Sequence, residues 1–144
     1  MRAIYTELKR VQMRPTSSRV VVLKLFHEFP GEHMTADQVF RKVPQGVEQC
    51  SLASVYRALG GLVGAGLLTS TSIGEQRVVY ELDHGPHSHL VCETCGAIHD
   101  MRDAEMDARN AVIAAAHGFS YSSSSLVVFG QCDACASKRE VATN

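Results

Sequence analysis

The sequence predicts an α+β chain, with an N-terminal winged helix-turn-helix domain hinged to a small C-terminal α/β dimerisation domain. Three observations predict it. Four short helical patterns are followed by a hairpin pattern whose second strand reads RVVYEL. The breaker cluster Asp83-His84-Gly85-Pro86 comes next, and two C-x-x-C pairs bracket most of what remains. The expected boundaries are residues 1–82 for the first domain, 83–86 for the hinge and 87–144 for the second domain.

Ile4, Leu8 and Val11 recur at i, i+4 and i+7, which predicts an amphipathic first helix that Pro15 ends. Thr16 or Ser17 can cap a second helix running through Val20–Phe29, stopped by Pro30-Gly31. Thr35 caps a third, from Ala36 to about Val43, ahead of Pro44. Ser51 caps a fourth, in which Leu52, Val55, Leu59 and Leu62 mark one apolar face. Leu67-Leu68 and RVVYEL, with a turn around Gly74, then read as a two-stranded wing.

Beyond the hinge, the pattern predicts strands near Leu90-Val91 and over Ala97–Met101. A helix from about Asp103 to His117 follows, with Gly118 placed to end it. The polar tract YSSSS leads into a last strand, LVVFG. An α/β unit this small buries little area alone, so a second copy of the chain is expected against it.

Composition narrows the class. At 45% hydrophobic and 20% charged residues, the chain is globular rather than disordered. No stretch approaches the roughly 20 apolar residues of a membrane span. MRAIYTELKR lacks the apolar core of an export signal, and five cysteines fit a secreted disulfide framework poorly, so the expectation is cytoplasmic. The net charge of −1 hides an asymmetry. Residues 1–70 carry nine Lys/Arg against five Asp/Glu, a net +4; residues 71–144 carry five against ten, a net −5. A polyanion-binding half joined to a cation-binding half fits this division, as does chance asymmetry in a short chain.

Ser51, Ser54, Tyr56 and Arg57 lie off the apolar face of the fourth helix, as a helix entering the major groove requires. Arg14 and Arg19, with Lys9, can add phosphate contacts. The same pattern fits the solvated surface of an ordinary helical domain, and helix physics alone does not decide between them.

Cys92, Cys95, Cys132 and Cys135 form two C-x-x-C pairs. Four thiolates complete a tetrahedral zinc with no open position, the mark of a structural site. A redox dithiol of the thioredoxin type needs only one pair, so the second pair favours zinc. Cys50 is the odd thiol and reads as a packing residue. His87 and His89, two apart on an extended segment, point to one side, with Glu81 just before the hinge and Asp100 in the next strand. Nitrogen and carboxylate donors without thiolate suit Fe²⁺, Mn²⁺ or Zn²⁺. No spacing rule joins His33 to this set. A hydrolytic metalloenzyme or a zinc-storage protein would also use such donors, but no H-E-x-x-H and no nucleophile motif is present.

LASVYRALGGLVGAGLL is similar to the recognition-helix signature of the ferric uptake regulator family, L-A-T-V-Y-R-x-L followed by an aliphatic-Gly turn. MRPTSSR at 13–19 resembles that family's R-x-T-x-x-R stretch. The match continues through VVYEL, the H-x-H-L-x-C-x-x-C-G segment and the terminal C-x-x-C, in order over nearly the whole chain. The resemblance implies a dimeric, metal-dependent transcription regulator, mostly a repressor in this family, and not an enzyme. Its partners would be a double-stranded DNA operator and a second copy, with no membrane and no small organic substrate. It implies the same four cysteine ligands for structural zinc, and a regulatory metal held by His33, Glu81, His87, His89 and Asp100 across the two domains.

Two departures bear on the signal. An additional site found in many members uses positions occupied here by Pro86, Ser88, Asp107 and Ser124, so three of four ligands are missing. That loss, with Asp100, resembles the peroxide-sensing branch, whereas Glu81 stands where that branch usually has Asp. Iron or peroxide sensing is favoured, with zinc or manganese sensing the alternative. If iron is bound, the resemblance makes His33 and His87 the oxidation targets. His84, His99 and His117 are left over, as surface residues or as residues supporting the ligands.

Overall fold

Ile4 and Leu8 lie one turn apart on α1 (Arg2–Arg10) and are both buried. This is the first element of a computed structural model that describes residues 1–47 and 50–142. The chain divides into two compact units, Met1–His84 and one beginning at Gly85.

In the first unit, α1 ends at Arg10, and Val11 packs against the core from the cap position. Helix α2 (Ser17–Glu28) starts three residues before Val20 because the Thr16 hydroxyl accepts a hydrogen bond from the Arg19 amide at 3.3 Å. Helix α3 (Ala36–Lys42) opens with a reciprocal cap. The Gln38 amide donates to the Thr35 hydroxyl at 3.2 Å, and the Thr35 amide donates to the Gln38 side chain at 2.8 Å. Helix α4 (Leu52–Gly64) is capped by Ser51 and buries Val55, Ala58, Leu59 and Leu62 against the rest of this core.

Strands β1 (Leu68–Ile73) and β2 (Arg77–Leu82) pair antiparallel, Leu68 opposite Leu82. Gly74, at φ +71°, supplies the left-handed residue their turn requires. The wing has a third member that the sequence did not reveal. Met34 and Tyr80 exchange backbone hydrogen bonds at 3.0 and 2.8 Å, tying the segment before α3 to β2. A one-residue bridge leaves no alternation to read.

The second unit is built on a three-stranded sheet, ordered β4-β3-β5. Central β3 (Ser88–Cys92) runs antiparallel to β4 (Ile98–Met101) and parallel to β5 (Val127–Gly130). Helix α5 (Ala104–Ala116) is capped by Asp103, whose Oδ1 accepts from the amides of Glu105 and Met106 at 2.9 and 3.0 Å. Gly118, at φ +78°, follows its end. A further helix, α6 (Asp133–Ala142), lies beyond the elements that the sequence pattern predicts. Among the described residues, Val91 and Cys92 are the only buried hydrophobic side chains of this unit, and α5 buries none. No helix among the described residues is long and apolar enough to cross a membrane.

Leu59 is wholly buried on α4, facing the core. Leu59→Ala should therefore destabilise the protein by about 2–5 kcal/mol, read from denaturant unfolding at constant zinc. A loss below about 1 kcal/mol would mean that this face is not packed as described.

Candidate metal centres and nucleic-acid face

Helix α4 presents two faces because its apolar residues recur every three to four positions. Opposite the buried stripe, Tyr56 is 50% exposed and Arg57 is exposed. Ser51 and Ser54 are partly committed to starting the helix. The Ser54 amide donates to the Ser51 hydroxyl at 3.2 Å, and the Ser54 hydroxyl donates to the Ser51 carbonyl at 2.8 Å. Arg14 is exposed, whereas Arg19 is half-buried. The Arg19 Nη1 donates to the Arg14 carbonyl at 2.8 Å, which braces the turn between α1 and α2. Of the six residues expected to face DNA, Arg14, Ser51, Tyr56 and Arg57 are thus exposed, and Arg19 and Ser54 are half-buried. The wing lies beside this face: burial pushes the Tyr80 phenol above its usual pKa, and the nearby Tyr56 phenol adds to the effect.

The four cysteines converge in the second unit. Cys92 ends β3, Cys95 follows in the turn to β4, Cys132 follows β5, and Cys135 lies in the first turn of α6. Their sulfurs lie within 4.8 Å of one another, and Cys95 Sγ is 3.8 Å from Cys132 Sγ. A disulfide would need about 2.05 Å. Four ligands about 2.3 Å from a tetrahedral zinc stand about 3.8 Å apart, so this spacing fits a metal cage. Amides of Cys132 and Cys95 donate to Cys92 Sγ at 3.4 and 3.5 Å and, with smaller contributions, hold that thiol's pKa down to about 5. The Cys135 thiol is pushed up to about 12, first by its hydrogen bond with the Cys132 side chain and then by burial and the other sulfurs. The Cys92 thiolate forms readily, whereas that of Cys135 is opposed by its neighbours. A divalent cation among them removes that opposition.

The nitrogen and oxygen donors form a group in each unit. In the first, His33 Nε2 lies 2.7 Å from Glu81 Oε2, with both side chains at most 5% exposed. His33 precedes the Met34 bridge to Tyr80, and Glu81 follows Tyr80 on β2, so the wing's third member brings the pair together. In the second, β3 and β4 place His89 opposite Asp100, and Nε2 of His87 and His89 lie 3.3 and 3.6 Å from Asp100 Oδ1. The two imidazole centroids are 4.5 Å apart. His84, expected at the surface or in support of the ligands, has its Nε2 3.8 Å from Glu81 Oε2 and its side chain 43% exposed.

At the positions of the additional site, Asp107, Ser124 and Ser88 bond to neighbouring protein groups. Asp107 Oδ1 accepts from the Ser124 hydroxyl at 2.8 Å and from the Tyr121 hydroxyl at 3.4 Å. Ser88 Oγ accepts from the Leu126 amide at 3.0 Å.

The ferric uptake regulator family matches residues 10–129. The chain belongs to this family. Its members are DNA-binding, metal-responsive transcription regulators and not enzymes. The ferric uptake regulation protein of Bordetella parapertussis is 31% identical over 131 residues, covering 90% of this chain and 94% of that protein. The ferric uptake regulator of Francisella tularensis, solved with iron, superposes with a TM-score of 0.79 at 28% identity, covering 87% of this chain and 96% of that one. The regulator of Pseudomonas aeruginosa, solved with manganese, gives 0.72 at 30% identity, covering 90% and 98%. The α+β architecture, with an N-terminal helix-turn-helix domain and a C-terminal α/β domain, is the one these regulators share.

The exposure of Tyr56 and Arg57 leaves them little part in the core. Tyr56→Ala and Arg57→Ala should each leave the unfolding free energy within about 0.5 kcal/mol of wild type. A loss above about 1.5 kcal/mol in denaturant titration would place them in the packed interior instead.

Proposed function

We propose that the protein is a homodimeric, metal-gated repressor with a structural zinc at Cys92, Cys95, Cys132 and Cys135. Its regulatory metal would be held by His33, Glu81, His87, His89 and Asp100. The observation that carries this reading is the separation of donor types: four sulfurs converge in the second unit, whereas His33 pairs with Glu81 in the first and His87 and His89 face Asp100 in the second. Zinc in the sulfur set supplies a cross-link with no open position. The four cysteines then fasten the end of β3, the turn after it, the end of β5 and the start of α6 to one point.

The second copy is supported by what the second unit leaves uncovered. Leu90, Val112, Ile113, Phe119, Val128 and Phe129 are between 41% and 72% exposed, and α5 has no buried residue. An apolar surface of this kind is what a symmetric partner covers. Arg14, Arg19, Ser51, Ser54, Tyr56 and Arg57 would meet operator DNA, the arginines mainly at phosphates and α4 in the major groove.

His33 and Glu81 belong to the first unit, and His87, His89 and Asp100 to the second. Ligands drawn from both would tie the units together when the metal binds and fix the separation of the two α4 helices in the dimer. DNA demands a set half-site spacing of about one helical turn, so fixing it raises affinity. Moving the chain from mostly open to mostly closed takes about 5.5 kcal/mol of differential binding, within the range of a multidentate transition-metal site. Iron is the favoured regulatory metal, since the Francisella tularensis relative was solved with it. Manganese is the second reading, on the Pseudomonas aeruginosa structure.

Cys95→Ser should lose its tightly held zinc and, with it, the dimer, as read by metal analysis and sedimentation. Full zinc content in a dimeric variant would remove these cysteines from the structural site. His89→Ala should abolish the metal-dependent gain in operator affinity while one zinc per chain remains. A variant that still gains affinity with added metal would show that the regulatory site lies elsewhere.

A further inference from the structure

Within the first unit, the side chains of His33 and Glu81 are 5% and 3% exposed, so a hydrated cation in solution does not meet them directly. His84 differs. Its imidazole is 43% exposed, and its Nε2 stands 3.8 Å from Glu81 Oε2, the same oxygen that faces His33 Nε2 at 2.7 Å. It is not among the five residues proposed above to hold the regulatory metal. His84 therefore has one side in solvent and the other beside a buried carboxylate.

We propose that His84 is the exchange ligand of the regulatory site, the residue that takes a divalent transition metal from solution and passes it to Glu81 and His33. The inference rests on the regulatory-site reading above. Neutral imidazole is a common ligand for such ions, and a cation bound at His84 Nε2 already lies next to the Glu81 carboxylate. The step is a ligand exchange with no change of oxidation state. The His84 lone pair replaces one metal-bound water, the Glu81 carboxylate replaces another, and His84 leaves as His33 completes the transfer. Release runs through the same steps in reverse. Asp100, in the second unit, is the other partly exposed member, with 34% of its side chain exposed, but it belongs to the resident set. Losing Asp100 should therefore cost affinity, whereas losing an exchange ligand should cost speed.

The test uses full-length dimer that retains its zinc, loaded with Co²⁺ and followed by stopped flow with a fluorescent Co²⁺ chelator. A group that only lowers the barrier changes loading and release by one factor. His84→Ala should slow both by about tenfold, equivalent to roughly 1.4 kcal/mol of barrier, and leave the equilibrium Kd within about twofold. His84→Asp, which restores a donor at that place, should recover most of the rate. Unchanged rates in His84→Ala would overturn the proposal. So would faster release with weaker Kd, which would make His84 a resident ligand or a support for Glu81. His89→Ala is the control on the underlying reading. If it binds Co²⁺ as wild type does, the five-residue site is wrong; if it loses Co²⁺ while His84→Ala behaves as wild type, only the exchange role fails.

Discussion

The second unit cannot bury a core of its own, and the rest of the architecture follows from that constraint. Only Val91 and Cys92 are buried hydrophobics there among the described residues, and no residue of α5 is fully buried. Burial at roughly 25 cal/mol per Å² does little for so open a unit, whose ordering still costs conformational entropy for every residue. Such a unit needs cross-links. The converging sulfurs are placed to provide one, at the points where β3, β5 and α6 would otherwise separate. The exposed apolar side chains of α5 and β5 would provide another in the proposed homodimer.

The first unit is under no such constraint. Its core joins residues of all four helices with Leu67 and Leu68 from the start of the wing. The helix caps are satisfied by Thr16, Thr35 and Ser51. A self-sufficient module can keep the exposed face of α4 fixed whatever happens elsewhere in the chain. A regulator of this design can therefore act by moving an intact reading head rather than by folding and unfolding it.

How much could be read beforehand depended on whether a residue's role is local. Val55, Leu59 and Leu62 repeat with the period of a helix, so the division of α4 into a buried face and an exposed face was legible in the sequence. The four cysteines were legible because each pair lies on one turn. His33 was not: it comes beside Glu81 through the single bridge between Met34 and Tyr80, and no periodicity announces a single bridge. Only the family resemblance named it. Helix α6 was hidden because DAC drew attention as ligand spacing, although Asp133 and the Ala, Lys, Arg and Glu that follow favour a helix. Ser51 was read correctly as a cap, but its second expected role, at the DNA, now competes with the bonds it shares with Ser54. The placement of His84 against Glu81 depends on the path of the chain after β2, which its sequence position leaves undetermined.

In the proposed mechanism, the nitrogen and oxygen ligands set DNA affinity while the sulfur ligands set assembly. It is tested most directly with protein that keeps one zinc per chain and has been stripped of every other metal. Its affinity for an operator duplex, selected from a random-sequence pool, would be compared with and without added Mn²⁺ at one salt concentration. If about 1% of the stripped protein is closed, its binding should be roughly a hundredfold weaker than that of the loaded protein. Equal affinity of the stripped and loaded forms, with zinc content and dimer unchanged, would contradict the account.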